Sequence, residues 1–196
     1  MATAQDVLRV AEGEVGYSRW DDPKPGTKYG RWYESEIDKD VSNYDYGASG
    51  VPYCACFPSW VFGAAKASCV GLPGAYCPAM LEAARNAGAT VSLRQARPGD
   101  VVYFDWNNDG EVDHVGIVAE NCGSYLVTIE GNTSSGASGS QGNGGVVAKR
   151  QRDFSCIAAV VRPSYGADSD APASDKLDVD GHIGSITITK WQRDNR

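Results

Sequence analysis

The amino-acid sequence predicts an α+β fold, with N-terminal helices packed on an antiparallel sheet of about five or six strands. Two observations carry that expectation. Apolar residues recur at helical spacing in the first half of the chain, and after Pro98 they fall into short β-branched runs broken by turn residues. A third sets the scale: 196 residues, 42% hydrophobic and 22% charged, suit one well-cored domain with a remainder rather than disorder or a coiled coil.

Each element follows from a local pattern. Residues 3–15 place Val7, Leu8, Val10, Ala11 and Val15 on an amphipathic helix, with Thr3 as N-cap and Gly16 as stop. Residues 17–52 are rich in Tyr, Trp, Asp and Gly with little periodicity, which predicts a long ordered loop. Its aromatics, Trp20, Tyr29, Trp32, Tyr33, Tyr44 and Tyr46, individually suit a core and as a set suit the wall of a groove. Residues 54–68 have apolar and small residues at helical spacing, so a helix starts at or near Cys54, with Pro58 early in it where proline does least harm. A shorter helix over 78–87 starts on proline and stops at Gly88.

The β half then reads as DVVYFDW, HVGIVAE, SYLVTIE, GVVAKR and CIAAVVR. Between the third and fourth runs, residues 133–145 form a Gly/Ser stretch without periodicity, expected to be a mobile loop. The main domain is therefore residues 1–165. Residues 166–176 have linker composition, and 177–196 read as the truncated start of a second module.

Charge and hydropathy exclude whole classes. Eighteen Lys and Arg against 25 Asp and Glu give a net charge of −7, which repels a phosphate backbone and argues against nucleic acid as a partner. No apolar stretch is long enough to span a bilayer, and the start MATAQDVLRV has neither basic leader nor apolar core. These features predict a protein made in the cytoplasm without a signal peptide, with no membrane insertion and monomeric as this fragment.

The chemistry-bearing residues are few. Of six cysteines, Cys54 and Cys56 are too close in sequence to bond without strain, so at least one is a free thiol or a ligand. Cys69, Cys77, Cys122 and Cys156 fill the core or pair with one another. There are two histidines, His114 and His182, and the second lies beyond the linker, so a catalytic pair in the main domain must use His114. A helix N-terminus and a nearby imidazole both favour thiolate over thiol, which makes a cysteine nucleophilic at neutral pH. Glu130 or Asn132, closing the TIEGN strand, can hold the imidazole in the required tautomer. Cys56 is the rival nucleophile. A zinc site from Cys54, Cys56 and His114 is disfavoured by the C-x-C spacing.

The motifs VPYCACFPSW, RPGDVVYFDW, DHVGIVAE and TIEGNTS, in that order over residues 3–165, resemble the CHAP family, the cysteine, histidine-dependent amidohydrolases/peptidases. That resemblance implies a papain-like α+β fold. It also implies Cys54 as nucleophile, His114 as general base and acid, Glu130 as the group orienting the imidazole, and Asn132 as further polar support. Family members cut amide bonds of bacterial peptidoglycan, as endopeptidases or N-acetylmuramoyl-L-alanine amidases, and no cofactor is required for that chemistry. Tyr53 stands where members often carry Trp. The tail LDVDGHIGSITITKWQ resembles the opening of peptidoglycan-binding repeats, and head, linker and wall-binding module together resemble the layout of bacteriophage endolysins. The competing expectation is a catalytically silent wall-binding module of the same fold.

DWNNDGEVD adds a candidate calcium loop. Asp105, Asn107, Asp109 and Asp113 stand at the side-chain positions, Glu111 offers its carbonyl, and Gly110 takes the turn. The closing bidentate carboxylate is missing, Gly116 standing in its place, and a plain hairpin turn explains the same composition.

Overall fold

A computed structural model describes residues 1–166, apart from Asp40 and Ala137. The expected linker past Gly166 and the second module, His182 included, lie outside the described residues.

The first helix, α1 (Ala4–Gly13), begins as its sequence dictates. Thr3 accepts from the Asp6 backbone N–H while the Asp6 carboxylate accepts from that of Thr3, so two otherwise unpaired donors are satisfied. Val7, Leu8 and Ala11 form its buried stripe. The stretch read as a loop departs from expectation. It contains α2 (Lys28–Trp32), capped by the Thr27 side chain and running into a π-helical turn over Tyr33–Asp38. Five residues are too few for helical periodicity to show, so tertiary packing decides this element. The next helices are α3 (Cys56–Ala64) and α4 (Cys77–Asn86), within two residues of the predicted starts.

Six antiparallel strands follow: β1 (Thr90–Val91), β2 (Val101–Phe104), β3 (His114–Asn121), β4 (Tyr125–Thr133), β5 (Val146–Asp153) and β6 (Ile157–Val161). Their spatial order is β1-β6-β2-β3-β4-β5. Only β1, two residues long, has no readable pattern in the sequence.

Strand alternation divides the sheet into two faces. Val101, Tyr103, Val115, Ile117 and Ile129 point to the side covered by α1, α3 and α4, where they pack with Val7, Phe57, Val61 and Leu81. Val102, Phe104, Val118, Leu126 and Val160 form a smaller cluster on the opposite side. Two glycines let the layers close. A methyl on Gly131 would lie 2.4 Å from the Phe57 Cβ, so β4 meets α3 only without a side chain there. On Gly116 it would lie 2.8 Å from the Glu130 Cγ, so this glycine makes room for a buried carboxylate.

The Gly/Ser segment between β4 and β5 is tied at several points rather than free along its length. The Gly144 N–H donates to the Asn132 carbonyl at 2.8 Å, and Gln141 accepts from both Arg150 and Arg152. Among the described residues no helix is long and apolar enough to cross a membrane.

Candidate active site

The site is assembled from two layers. His114 opens β3, paired with Phe104 of β2, and is completely buried. Its Nε2 donates to the Glu130 Oε2 at 3.1 Å. Glu130, also completely buried, is gripped by Arg152 of β5, Nε to Oε1 at 2.8 Å and the terminal nitrogen to Oε2 at 2.6 Å. Thr128 donates a further short bond to Oε1. Bidentate pairing of this kind fixes a carboxylate in both position and charge.

Arg152 is itself held. Its guanidinium lies 4.7 Å above the Trp106 ring and donates to Thr133 and Gln141. Phe104 and Trp106 stack on each other, and each ring lies 5.7 Å from that of His114. The imidazole is thereby fixed by one hydrogen bond and two aromatic neighbours.

Electrostatics follow from this chain of contacts. Burial opposes ionisation of Glu130, but the bonds from Arg152 and His114 outweigh it and hold the carboxyl down at about 2. Burial likewise opposes a charged His114, yet Cys54 and Glu130 raise it to about 9. With Nε2 committed to Glu130, Nδ1, which has no full hydrogen bond, is the nitrogen open to Cys54.

Cys54 comes from the other layer. It precedes α3, and the Phe57 N–H already donates to the Tyr53 carbonyl at 3.0 Å, so the chain turns helically around it. Its thiol is lowered well below the ordinary cysteine range, first by a hydrogen bond from Cys77 and also by His114 and the Ala55 backbone N–H, against the opposing effect of burial. Cys56 behaves oppositely. Burial and the neighbouring Cys54 push it up to about 12, which leaves it an inert core thiol at the start of α3. All six cysteines are unpaired, so the expected alternative of bridges among the other four does not occur.

Asn132 is placed differently from its expected role beside the imidazole. It sits in the left-handed region, φ 61°, where β4 changes register against β5. Its Nδ2 donates to the Gly142 carbonyl at 2.9 Å and its Oδ1 accepts from Arg19, so it anchors the β4–β5 connection and not His114.

A cavity of about 580 Å³ opens on Cys54. Tyr44, Tyr46 and Tyr76 contribute aromatic surface, Cys77 lies beside the nucleophile candidate, and Asp109, Glu111 and Asp113 add acidic surface. The aromatic loop is thus divided: Tyr44 and Tyr46 line this groove, whereas Tyr29 is fully buried and stacks on Tyr53 at 5.4 Å. A second hollow of about 450 Å³ near Asp22 and Arg31 carries no nucleophile, and those two residues pair at 2.7 Å.

The candidate calcium loop folds as a turn whose oxygens are turned on its own backbone. Asp105 accepts from the Asp109 and Gly110 N–H groups, Asp109 accepts from Glu111 N–H and from Asn107 Nδ2, and Asp113 accepts from Trp106 N–H. The Glu111 carboxylate accepts from the Tyr76 hydroxyl. Among the described residues no three His, Cys, Asp or Glu side chains gather as a metal ion requires.

Sequence reasoning missed two members of this site, Cys77 and Arg152. Arg152 left a trace: on β5 it shares strand parity with Ala148, the partner of Glu130, so a charge falls on an inward position. Cys77 left none, because its approach to Cys54 depends on how α4 packs.

The CHAP domain family model matches residues 44–132. Among solved structures it is similar to a wild-type endolysin, LysIME-EF1, at 21% identity over 86% of this chain and 67% of that one, with a TM-score of 0.55. At that identity the likeness is one of fold. No curated protein matches the chain.

Proposed function

We propose that this CHAP-domain chain is a peptidoglycan hydrolase that cuts an amide bond of the bacterial cell wall by cysteine nucleophilic catalysis, in the manner of a phage endolysin. The observation that carries the reading is the buried series Arg152, Glu130, His114, ending beside a cysteine with a lowered pKa at the mouth of a peptide-sized cavity.

In this mechanism the Cys54 thiolate attacks the amide carbonyl carbon, and the carbon–nitrogen bond breaks as His114 Nδ1–H passes a proton to the leaving amine. The acyl-enzyme is then hydrolysed by a water whose proton His114 accepts. Glu130 keeps the ring oriented and stabilises the imidazolium that exists before the first proton transfer and forms again when the water's proton is accepted. Arg152 keeps Glu130 ionised and still. Asn132 anchors the β4–β5 connection through Gly142 and Arg19. No step runs through calcium.

The test is digestion of purified Gram-positive peptidoglycan by the wild type and by Cys54→Ala, with mass analysis of the soluble products. Release by the wild type alone supports the hydrolase. Free L-alanine N-termini mark an amidase, and new amino groups on stem or bridge peptides mark an endopeptidase. No release by the reduced wild type across several wall types would favour the catalytically silent wall-binding module.

A further inference from the structure

Of the buried thiols that the reaction above leaves without a task, one faces the reacting sulfur. Cys77, the first residue of α4, has its sulfur 4.0 Å from that of Cys54, and both line the same cavity. Their spacing is built rather than incidental. The Ser59 hydroxyl of α3 donates to the Gly74 carbonyl at 2.7 Å and accepts the Gly74 N–H at 2.9 Å. This clamps the segment before α4 onto the helix that follows Cys54. Cys56, nearer in sequence, has no such contact with Cys54.

We propose that Cys54 and Cys77 form a reversible redox switch, in which Cys77 is the resolving thiol that captures oxidised Cys54 as a disulfide and so shuts off hydrolysis. The regulatory half rests on the reading of Cys54 as nucleophile; the thiol pair itself does not. Peroxide is the oxidant. The Cys54 thiolate attacks one peroxide oxygen, the oxygen–oxygen bond breaks, and hydroxide leaves and is protonated to water, giving Cys54 sulfenic acid. The Cys77 sulfur then attacks the Cys54 sulfur, the sulfur–oxygen bond breaks, and the Cys77 proton leaves with hydroxide as a second water. Two thiols and one peroxide yield one disulfide and two waters.

The geometry suits each step. The thiolate is the form that peroxide oxidises, and Cys54 is the cysteine whose surroundings favour it. Cys77 is raised chiefly by its hydrogen bond to Cys54, so it remains a protonated donor while Cys54 is charged. Oxidation removes that charge and with it the restraint on Cys77. The two sulfurs have to close from 4.0 Å to a bond of about 2.05 Å. Met80 packs against Gly71 and Gly74, so the backbone between the helices is already close-fitting and holds α4 near.

The experiment oxidises the reduced full chain with a slight excess of hydrogen peroxide and follows it by intact mass, peptide mapping and peptidoglycan digestion. The expected wild-type result is loss of two hydrogens, a Cys54–Cys77 linked peptide, and activity that falls more than tenfold and returns with dithiothreitol. Cys77→Ser and Cys77→Ala should instead accumulate Cys54 sulfinic acid, and neither should recover with dithiothreitol from its own oxidised state. Cys56→Ser should still form the linked peptide. Wild type that shows Cys54 sulfinic acid without the linked peptide, or that links Cys54 to Cys56, overturns the proposal. A linked peptide in a chain that digests no wall material even when reduced upholds the thiol pair and overturns the hydrolase reading.

Discussion

The two faces of the sheet are built on opposite principles. The face under α1, α3 and α4 is apolar apart from the Tyr103 hydroxyl, Val101, Val115, Ile117 and Ile129 meeting Val7, Phe57 and Val61. The opposite face pairs a small apolar cluster with a completely buried polar series, His114, Glu130 and Arg152. The first supplies stability through area removed from water, which is non-directional and tolerates small changes of shape. The second supplies orientation, and a buried ionic group left without its partner is costly. The lesson is that changes to the apolar face should cost stability with little activity, whereas changes to the polar face should cost both.

The largest effect should come from the reacting atoms. Cys54→Ala or His114→Ala is expected to reduce peptidoglycan digestion by about 10⁴-fold or more, the order seen when one member of a nucleophile–base unit is removed. Circular dichroism and the thermal midpoint would show whether the fold survives in Cys54→Ala, as expected.

Next in size are changes to the polar face. Glu130→Gln leaves the Arg152 charge buried and uncompensated, so a loss of about 3–5 kcal/mol by denaturant unfolding is expected, with about 10²-fold less activity. The double variant Glu130→Gln with Arg152→Met removes both charges and should regain most of the stability while activity stays low. Regained activity in that double variant would break the comparison, because it would mean His114 needs no orienting carboxylate.

The pH profile sharpens the same point. Glu130 is held near 2 against an ordinary 4.5, so its stabilisation is complete above 4.5 and is lost as pH falls towards 2. His114 is raised to about 9 from 6.5, so its contribution is complete below 6.5 and disappears as pH rises through 9. Unfolding free energy should therefore decline on both sides, and activity should fall on the alkaline side near 9 as the imidazolium is lost. Arg152→Met should raise the acid midpoint by removing the cation that holds Glu130 ionised.

Smaller effects belong to the apolar face and the acidic loop. Ile117→Val should cost about 0.5–1.5 kcal/mol of stability with activity nearly unchanged. Calcium or a chelator should leave the thermal midpoint in place, because the carboxylates of Asp105, Asp109 and Asp113 are engaged with backbone N–H groups. A calcium-dependent rise in the midpoint would show that the loop rearranges to gather them.

Much of this was legible in the sequence, and the reason is local. Thr3 specifies a helix N-cap, Pro78 a helix start, and the alternation of HVGIVAE a strand with His114 at its head, each written within a few adjacent residues. The candidate nucleophile, base and orienting carboxylate could be named because single-residue scarcity and motif order need no coordinates. Tertiary structure alone decided which groups meet. It separated Cys54 from Cys56 by giving only Cys54 the Cys77 and His114 partners, turned Asn132 towards Gly142 and Arg19, divided the aromatic loop between core and groove, and brought Arg152 to Glu130 and Cys77 to Cys54. These contacts join residues on different elements. Their distances depend on register and helix packing, which no local pattern of side chains records.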